Sequence, residues 1–206
     1  MAWDTERTKR LLLDAAVAEF SEHGLAGARV DRIAVTAGVN KERIYQYFGK
    51  KDALFDTVLT EELRRVGDDV PIEGTGPGAV GDYAARLFDH HRADPTLSRL
   101  LFWQGLEGSG GATMLAEWAE RNARKIERLQ GILPGVRRQD IADLLVTIFT
   151  LCDAWPVIPQ LDAVAAGTGA DRARRRRASI VRTVTLMAEA LQAEVKPRTQ
   201  LDESRR

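Results

Sequence analysis

DRIAVTAGVNKERIYQYFGKK, residues 31–51, reads as two short helices joined at a glycine. Ile33, Ala34 and Ala37 fall on one face of the first helix, with small alanines where another helix must approach closely. Gly38 suits the left-handed conformation that ends a helix, and Val39 plugs the turn from its apolar side. Asn40 is a favoured N-cap, so the spacing predicts a new helix from Lys41. Ile44 and Phe48, four apart, face the core. Lys41, Glu42, Arg43, Tyr45, Gln46 and Tyr47 are left pointing outward. A short helix whose first turns carry cationic, amide and phenolic groups suits the DNA major groove, where such groups meet base edges and phosphates. A helical hairpin with a solvated charged face has the same local pattern, so the flanking sequence matters.

Upstream, TKRLLLDAAVAEFSEHGLAGARV sets Leu12, Leu13, Ala16 and Phe20 at helical spacing, with Thr8 expected as N-cap and His23-Gly24 as the stop. Downstream, GKKDALFDTVLTEEL restarts a helix with Lys51 at its N-terminus and Leu54, Val58 and Leu59 on its inner face. Taken in order and without gaps, residues 8–60 resemble the TetR family of bacterial transcriptional regulators. That resemblance implies DNA contacts from Asn40, Lys41, Glu42 and Arg43, and a backbone contact from Tyr45. It implies a phosphate role for Tyr47, at a place that is often histidine, and for Lys51, which matches a phosphate-gripping lysine. Gln46 joins this set through its outward position. Arg29 departs from the family, which has a capping threonine there. A guanidinium offers no oxygen, so the start of that helix is expected to be less firmly fixed, with Arg29 free to add a phosphate contact.

The 206 residues suffice for one or two domains with a sizeable core. The formal net charge is zero with 29% charged residues, so affinity for DNA must come from a local patch and not from a generally basic surface. Apolar runs stay short of a membrane span, no signal-peptide pattern opens the chain, and a single cysteine fits a reducing cytoplasm. There is no GxSxG, P-loop or GxGxxG, so the reading is not an enzyme, and no cofactor or metal is expected.

Beyond residue 60 the pattern is helical almost throughout. Helices are expected to continue to about Val66, then over Ala79–His91, from Asp94-Pro95 to Gly108, over ATMLAEWAERNARKIERLQGIL, over Gln139–Trp155 and over Ala170–Glu194, with a loop at 67–78. The expectation is therefore an all-α fold of about nine helices: a helix-turn-helix domain over 1–50 and a helical ligand-binding and dimerisation domain over 51–206. The last two long helices carry broad apolar faces, including Ile180, Val181, Val184, Met187 and Leu191. The resemblance implies that they pair with a second copy, giving a homodimer that presents two reading heads to a pseudo-palindromic operator.

The middle helices concentrate Tyr83, Phe88, Phe102, Trp103, Gln104, Trp118, Asn122, Phe149 and Trp155. Each aromatic alone reads as core packing. As a set they form a candidate small-molecule site, with Glu107 and Asp153 as acids that could receive a cation. The run Arg172, Arg174–Arg177 at a helix start reads as a solvated face, or one paired with acids across the dimer, rather than a second DNA patch. Cys152 reads as an inert core thiol. Two functions compete: a ligand-released repressor, and a DNA binder with no small-molecule input.

Overall fold

In a computed structural model, the described backbone covers residues 2–203, with side chains described from 5 to 195. The described residues form ten helices and no strand: α1 (Ala2–Gly27), α2 (Val30–Ala37), α3 (Glu42–Phe48), α4 (Lys51–Asp69), α5 (Gly76–Ala93), α6 (Thr96–Glu107), α7 (Ala112–Ile132), α8 (Arg138–Val157), α9 (Pro159–Ala166) and α10 (Arg172–Glu203). The count exceeds the expected nine because Pro159 opens α9 at a first-turn position, where its missing N–H costs nothing. Pro156 sits inside the last turn of α8 without ending it. The loop expected over 67–78 shrinks, since α4 runs on to Asp69 and α5 starts at Gly76. No single described helix is long and apolar enough to cross a membrane.

Two compact units emerge. The first comprises Met1–Asp68 with Asp94–Ala119, and the second Asp69–Ala93 with Glu120–Arg206. In the first unit, α1 packs on α2 and α6. Its core holds Leu12, Ala16, Phe20, Ile33, Ile44, Leu54, Phe55 and Leu59, all fully or nearly fully buried. Phe20 meets Phe55 edge-to-face at 5.1 Å, a geometry that suits the ring quadrupoles and ties the first part of α4 to α1. In the second unit, α10 packs against α5 and α8 around Val80, Leu87, Phe88, Leu145, Ile148, Ile180, Val184 and Ala188. Gly81 allows a close α5–α10 approach: a Cβ there would run into Thr185 Oγ1 and lie 3.3 Å from the Val181 carbonyl.

Three sequence expectations need correction. Thr8 does not cap α1, which begins six residues earlier because nothing in AWDTER breaks a helix. Ile180 and Val184 are not surface residues awaiting a partner; they lie in the core of their own unit. Three of the α10 arginines are paired within the chain and not across a dimer: Arg172 with Asp162, Arg174 with Asp171 at 2.8 Å, and Arg177 with Asp89 at 2.7 Å. Those acids offset the unfavourable placement of cations at a helix N-terminus.

Candidate nucleic-acid interface

The turn between α2 and α3 is built from local interactions. Gly38 adopts φ 63°, ψ 30°, the left-handed conformation. Val39 N–H donates to Ala34 O at 3.0 Å and Gly38 N–H to Val35 O at 3.1 Å, the two bonds of a Schellman motif. Asn40 Oδ1 accepts the Glu42 N–H at 3.1 Å, and its carbonyl accepts the Arg43 N–H at 3.0 Å. Asn40 thus caps α3 as expected, with the first regular helical residue one position later than anticipated.

Ile44 is fully buried and Phe48 half-buried, so α3 is anchored on that face. Lys41, Glu42, Arg43, Tyr45 and Gln46 are exposed and Tyr47 partly so. These side chains are organised. Arg43 Nη1 donates to Gln46 Oε1 at 3.2 Å and to the Tyr47 hydroxyl at 3.1 Å. Lys41 pairs with Asp31 at 2.9 Å, and that hydrogen bond and charge hold its pKa above the usual lysine value. The Tyr47 ring carries two cations, Arg43 at 5.9 Å and Lys9 of α1 at 5.8 Å from its centroid. Lys9 was missed because its contact with Tyr47 joins α1 to α3, segments too far apart in sequence for spacing to show.

The start of α2 is fixed without a capping side chain on Arg29. Glu19 Oε1 accepts the Arg29 N–H at 2.7 Å, and the same carboxylate takes Arg32 Nε at 2.8 and 3.0 Å. Burial opposes ionisation of Glu19, but the bonds from Arg32 and the Arg29 amide outweigh it, leaving its pKa lowered. The expected looseness is therefore absent: a carboxylate from α1 replaces the threonine. Arg29 itself stays exposed.

Gly24 breaks α1 at φ 68°, ψ −178°, which frees the amides that follow. Glu107 from α6 collects them, accepting Leu25 N–H at 2.8 Å and Ala26 N–H at 3.2 Å. Trp103 Nε1 and Arg99 Nε donate to the Ser21 carbonyl at 3.3 and 2.7 Å. Lys51 Nζ donates to the carbonyls of Ala28 and Ala26, at 3.1 and 3.4 Å. It satisfies the end of α1 and holds the start of α4 against it, a role the sequence did not disclose.

The aromatic residues singled out from sequence divide between the units. Phe102, Trp103, Gln104 and Trp118 belong to the first, where Trp103 is engaged by Ser21 and the Gln104 amide donates to Ser109 O at 2.6 Å. Tyr83, Phe88, Asn122, Phe149 and Trp155 belong to the second. There Phe88 meets Trp155 edge-on at 5.6 Å, and Phe149 lies beneath Lys125, 4.8 Å from its ring centroid. His91 Nε2 pairs with Asp153 Oδ1 at 3.2 Å. Lys125 could have been found in the sequence, because Trp118, Asn122, Lys125 and Leu129 recur at helical spacing along one stripe of α7. Cys152 is buried, with Sγ 3.5 Å from Ala84 O, and burial pushes its pKa up to about 12, as expected of an inert thiol.

Two sequence profiles match this chain: "Bacterial regulatory proteins, tetR family" over residues 12–58, and "Tetracyclin repressor-like, C-terminal domain" over 79–185. The chain belongs to the TetR family. It is 38% identical over 174 residues to the HTH-type transcriptional repressor SCO4008 of Streptomyces coelicolor, covering 82% of this chain and 88% of that one. It is 31% identical over 109 residues to the HTH-type transcriptional regulator RutR of Escherichia coli K12, about half of each chain. Among solved structures, a transcriptional regulator of S. coelicolor, SCO4942, superposes with TM-score 0.71 at 34% identity, covering 87% of this chain and 97% of that one. FadR of Bacillus subtilis, solved with stearoyl-CoA, shares the fold at TM-score 0.63 and 19% identity, covering 86% and 97%. This TetR-family protein is a helix-turn-helix DNA-binding transcriptional regulator of the repressor class.

Proposed function

We propose that this TetR-family protein acts as a homodimer, occupies a two-fold operator through α3, and is released from it by a small molecule. The supporting observation is the division of α3: Ile44 is fully buried while Lys41, Glu42, Arg43, Tyr45 and Gln46 are exposed on a helix locked by Gly38 and Asn40. In this reading Arg43 and Gln46 exchange their mutual hydrogen bond for base edges. Lys41, Glu42 and Asn40 set the approach of the first turn. Tyr45, Tyr47, Arg29 and Lys51 contact phosphates, Lys51 with whatever donor its two carbonyls leave over.

For the dimer, the relevant surface is the outward side of α8 and α10. Val146 and Leu186 are 61% and 57% exposed there, on helices whose opposite faces are buried. Leaving large apolar side chains in water on such helices favours burial against a second copy. Two copies would set the reading heads about 34 Å apart or somewhat more, one turn of DNA. Release then follows from linkage: a ligand that binds the DNA-incompetent state more tightly weakens DNA by the same factor, commonly about 1–3 kcal/mol.

The test is binding of the purified protein to its own upstream intergenic DNA across a salt series, against shuffled DNA. Selective binding with a steep salt slope is expected, and Arg43→Ala should cost about 1–3 kcal/mol at one base position. Equal affinity for shuffled DNA, unchanged after denaturing and refolding to strip ligand, would overturn the reading.

A further inference from the structure

Arg29, Lys41, Arg43 and Lys51 are the cations that α3 and its flanks offer to DNA, and one of them is held differently. Arg43 Nη1 donates to Gln46 Oε1 and to the Tyr47 hydroxyl, at 3.2 and 3.1 Å. Lys51 Nζ donates to the carbonyls of Ala28 and Ala26, at 3.1 and 3.4 Å. Those acceptors are neutral, so both cations keep their full charge for a phosphate. Arg29 is exposed and has no carboxylate partner among the described residues. Lys41 alone of the four meets a carboxylate: its Nζ lies 2.9 Å from Asp31 Oδ1.

Helix periodicity does not account for that pair. Most exposed ion pairs in the described chain join residues one turn apart on one helix, as in Arg64–Asp68 and Arg124–Glu120. Lys41 and Asp31 instead join the start of α3 to the first turn of α2. Folding stability does not account for it either. The Asp31 side chain is 74% exposed and that of Lys41 47%, and pairs so open to solvent add little. Asp31 does suit the positive end of α2, but any acid in that turn serves the helix dipole without reaching Lys41. The hydrogen bond and charge of Asp31 are also the leading causes of the raised Lys41 pKa.

The consequence falls on DNA contact. A phosphate that takes the Lys41 ammonium must approach the Asp31 carboxylate, and the two negative charges repel. With Asp31 paired, Lys41 adds little to the long-range attraction for a polyanion. A base edge carries no net charge, and one bond to Asp31 leaves the ammonium two further donors. The pairing therefore penalises phosphate contact, which is blind to sequence, more than contact with a base edge.

We propose that Asp31 is a specificity-determining residue: by holding Lys41 it lowers affinity for DNA of arbitrary sequence more than affinity for the operator. This rests on the reading that α3 occupies an operator, and it adds what restrains the same helix on other DNA.

The experiment measures binding of the full chain to its own upstream intergenic DNA and to shuffled DNA, by fluorescence anisotropy across a salt series. Asp31→Asn keeps the side-chain shape and removes the charge. It should tighten binding to shuffled DNA by roughly three- to tenfold and steepen the salt slope by about one. The gain on intergenic DNA should be smaller, so the ratio of the two affinities falls. Asp31→Glu restores the charge and should behave as wild type. In a Lys41→Gln background Asp31→Asn should have no further effect, because the cation it restrains is gone. A carboxylate that served only the α2 dipole would lower Tm and leave every DNA readout unchanged. Unchanged shuffled-DNA affinity in Asp31→Asn, an equal gain on both DNAs, or the same gain in the Lys41→Gln background overturns the proposal. Intergenic DNA bound no better than shuffled DNA counts against the operator reading instead. The shuffled-DNA arm and the Lys41→Gln background then still decide whether Asp31 restrains Lys41.

Discussion

Replacing Gly24 with alanine tests how the first unit holds its helix-turn-helix in place. Gly24 has φ 68° and ψ −178°, a conformation that L residues avoid. The backbone strain alone should cost about 1–3 kcal/mol. The new methyl group would also lie 2.8 Å from two carbons of the Trp103 indole and 2.5 Å from Glu107 Oε1. Neither neighbour can yield without loss, because Trp103 is bonded to Ser21 O and Glu107 holds the Leu25 and Ala26 amides. Overpacking of this kind costs about 1–3 kcal/mol more. A combined penalty near 4 kcal/mol corresponds to a fall of roughly 8–16 °C in Tm for a chain of this size. The assay is thermal melting by far-UV circular dichroism, with Gly27→Ala as the internal control. A Cβ at Gly27 meets only the His23 Cβ at 3.4 Å, so that variant should stay within about 1 kcal/mol of wild type. Should Gly24→Ala melt within about 2 °C of wild type, the account of the α1 break as a packed, glycine-dependent joint is wrong.

Three further outcomes are expected. Because the folded pKa of Glu19 is lowered, its contribution is present at neutral pH and disappears as pH falls through that lowered value. Glu19→Gln should therefore lower Tm at pH 7, with the deficit shrinking as pH falls below the ordinary carboxylate range; a deficit independent of pH would assign the loss to packing. Gly81→Ala should destabilise by about 1–3 kcal/mol, and adding Thr185→Ala should recover part of it, since Thr185 Oγ1 is the nearest obstacle; urea melts with no recovery would place the strain elsewhere. Leu186→Glu, on an exposed α10 position, should give monomers in sedimentation velocity with little change in Tm, whereas an intact dimer would move the interface off α8 and α10.

Local chemistry explains which parts of this protein were legible early. The Schellman turn at Gly38-Val39 and the Asn40 cap involve neighbours within five residues, so residue type and spacing state them almost completely. The same holds for the inner and outer faces of α3, where the 3.6-residue period separates Ile44 from Arg43 and Tyr45. Family membership followed from that compact pattern, and the matched profiles agree with it.

Where the reading failed, the partner was distant or burial was misjudged. A missing cap oxygen at Arg29 is visible in the sequence, but its replacement by Glu19 requires α1 to fold back on α2. Glu107 looked like an acid able to greet a cation, and only the approach of α6 to the broken end of α1 turns it into a cap. The apolar face read along α10 is itself divided: Ile180 and Val184 are buried in their own unit, while Val181, Met187 and Leu191 stay partly exposed. An apolar face says that burial is needed, not against which neighbour. The sequence by itself therefore determined the helix-turn-helix, its outward residues and the all-helical class, because those depend on interactions within a turn or two of the chain. Tertiary structure alone decided which charges were already engaged and which apolar residues stayed outside. Such facts depend on contacts between segments far apart in sequence, which no local spacing encodes.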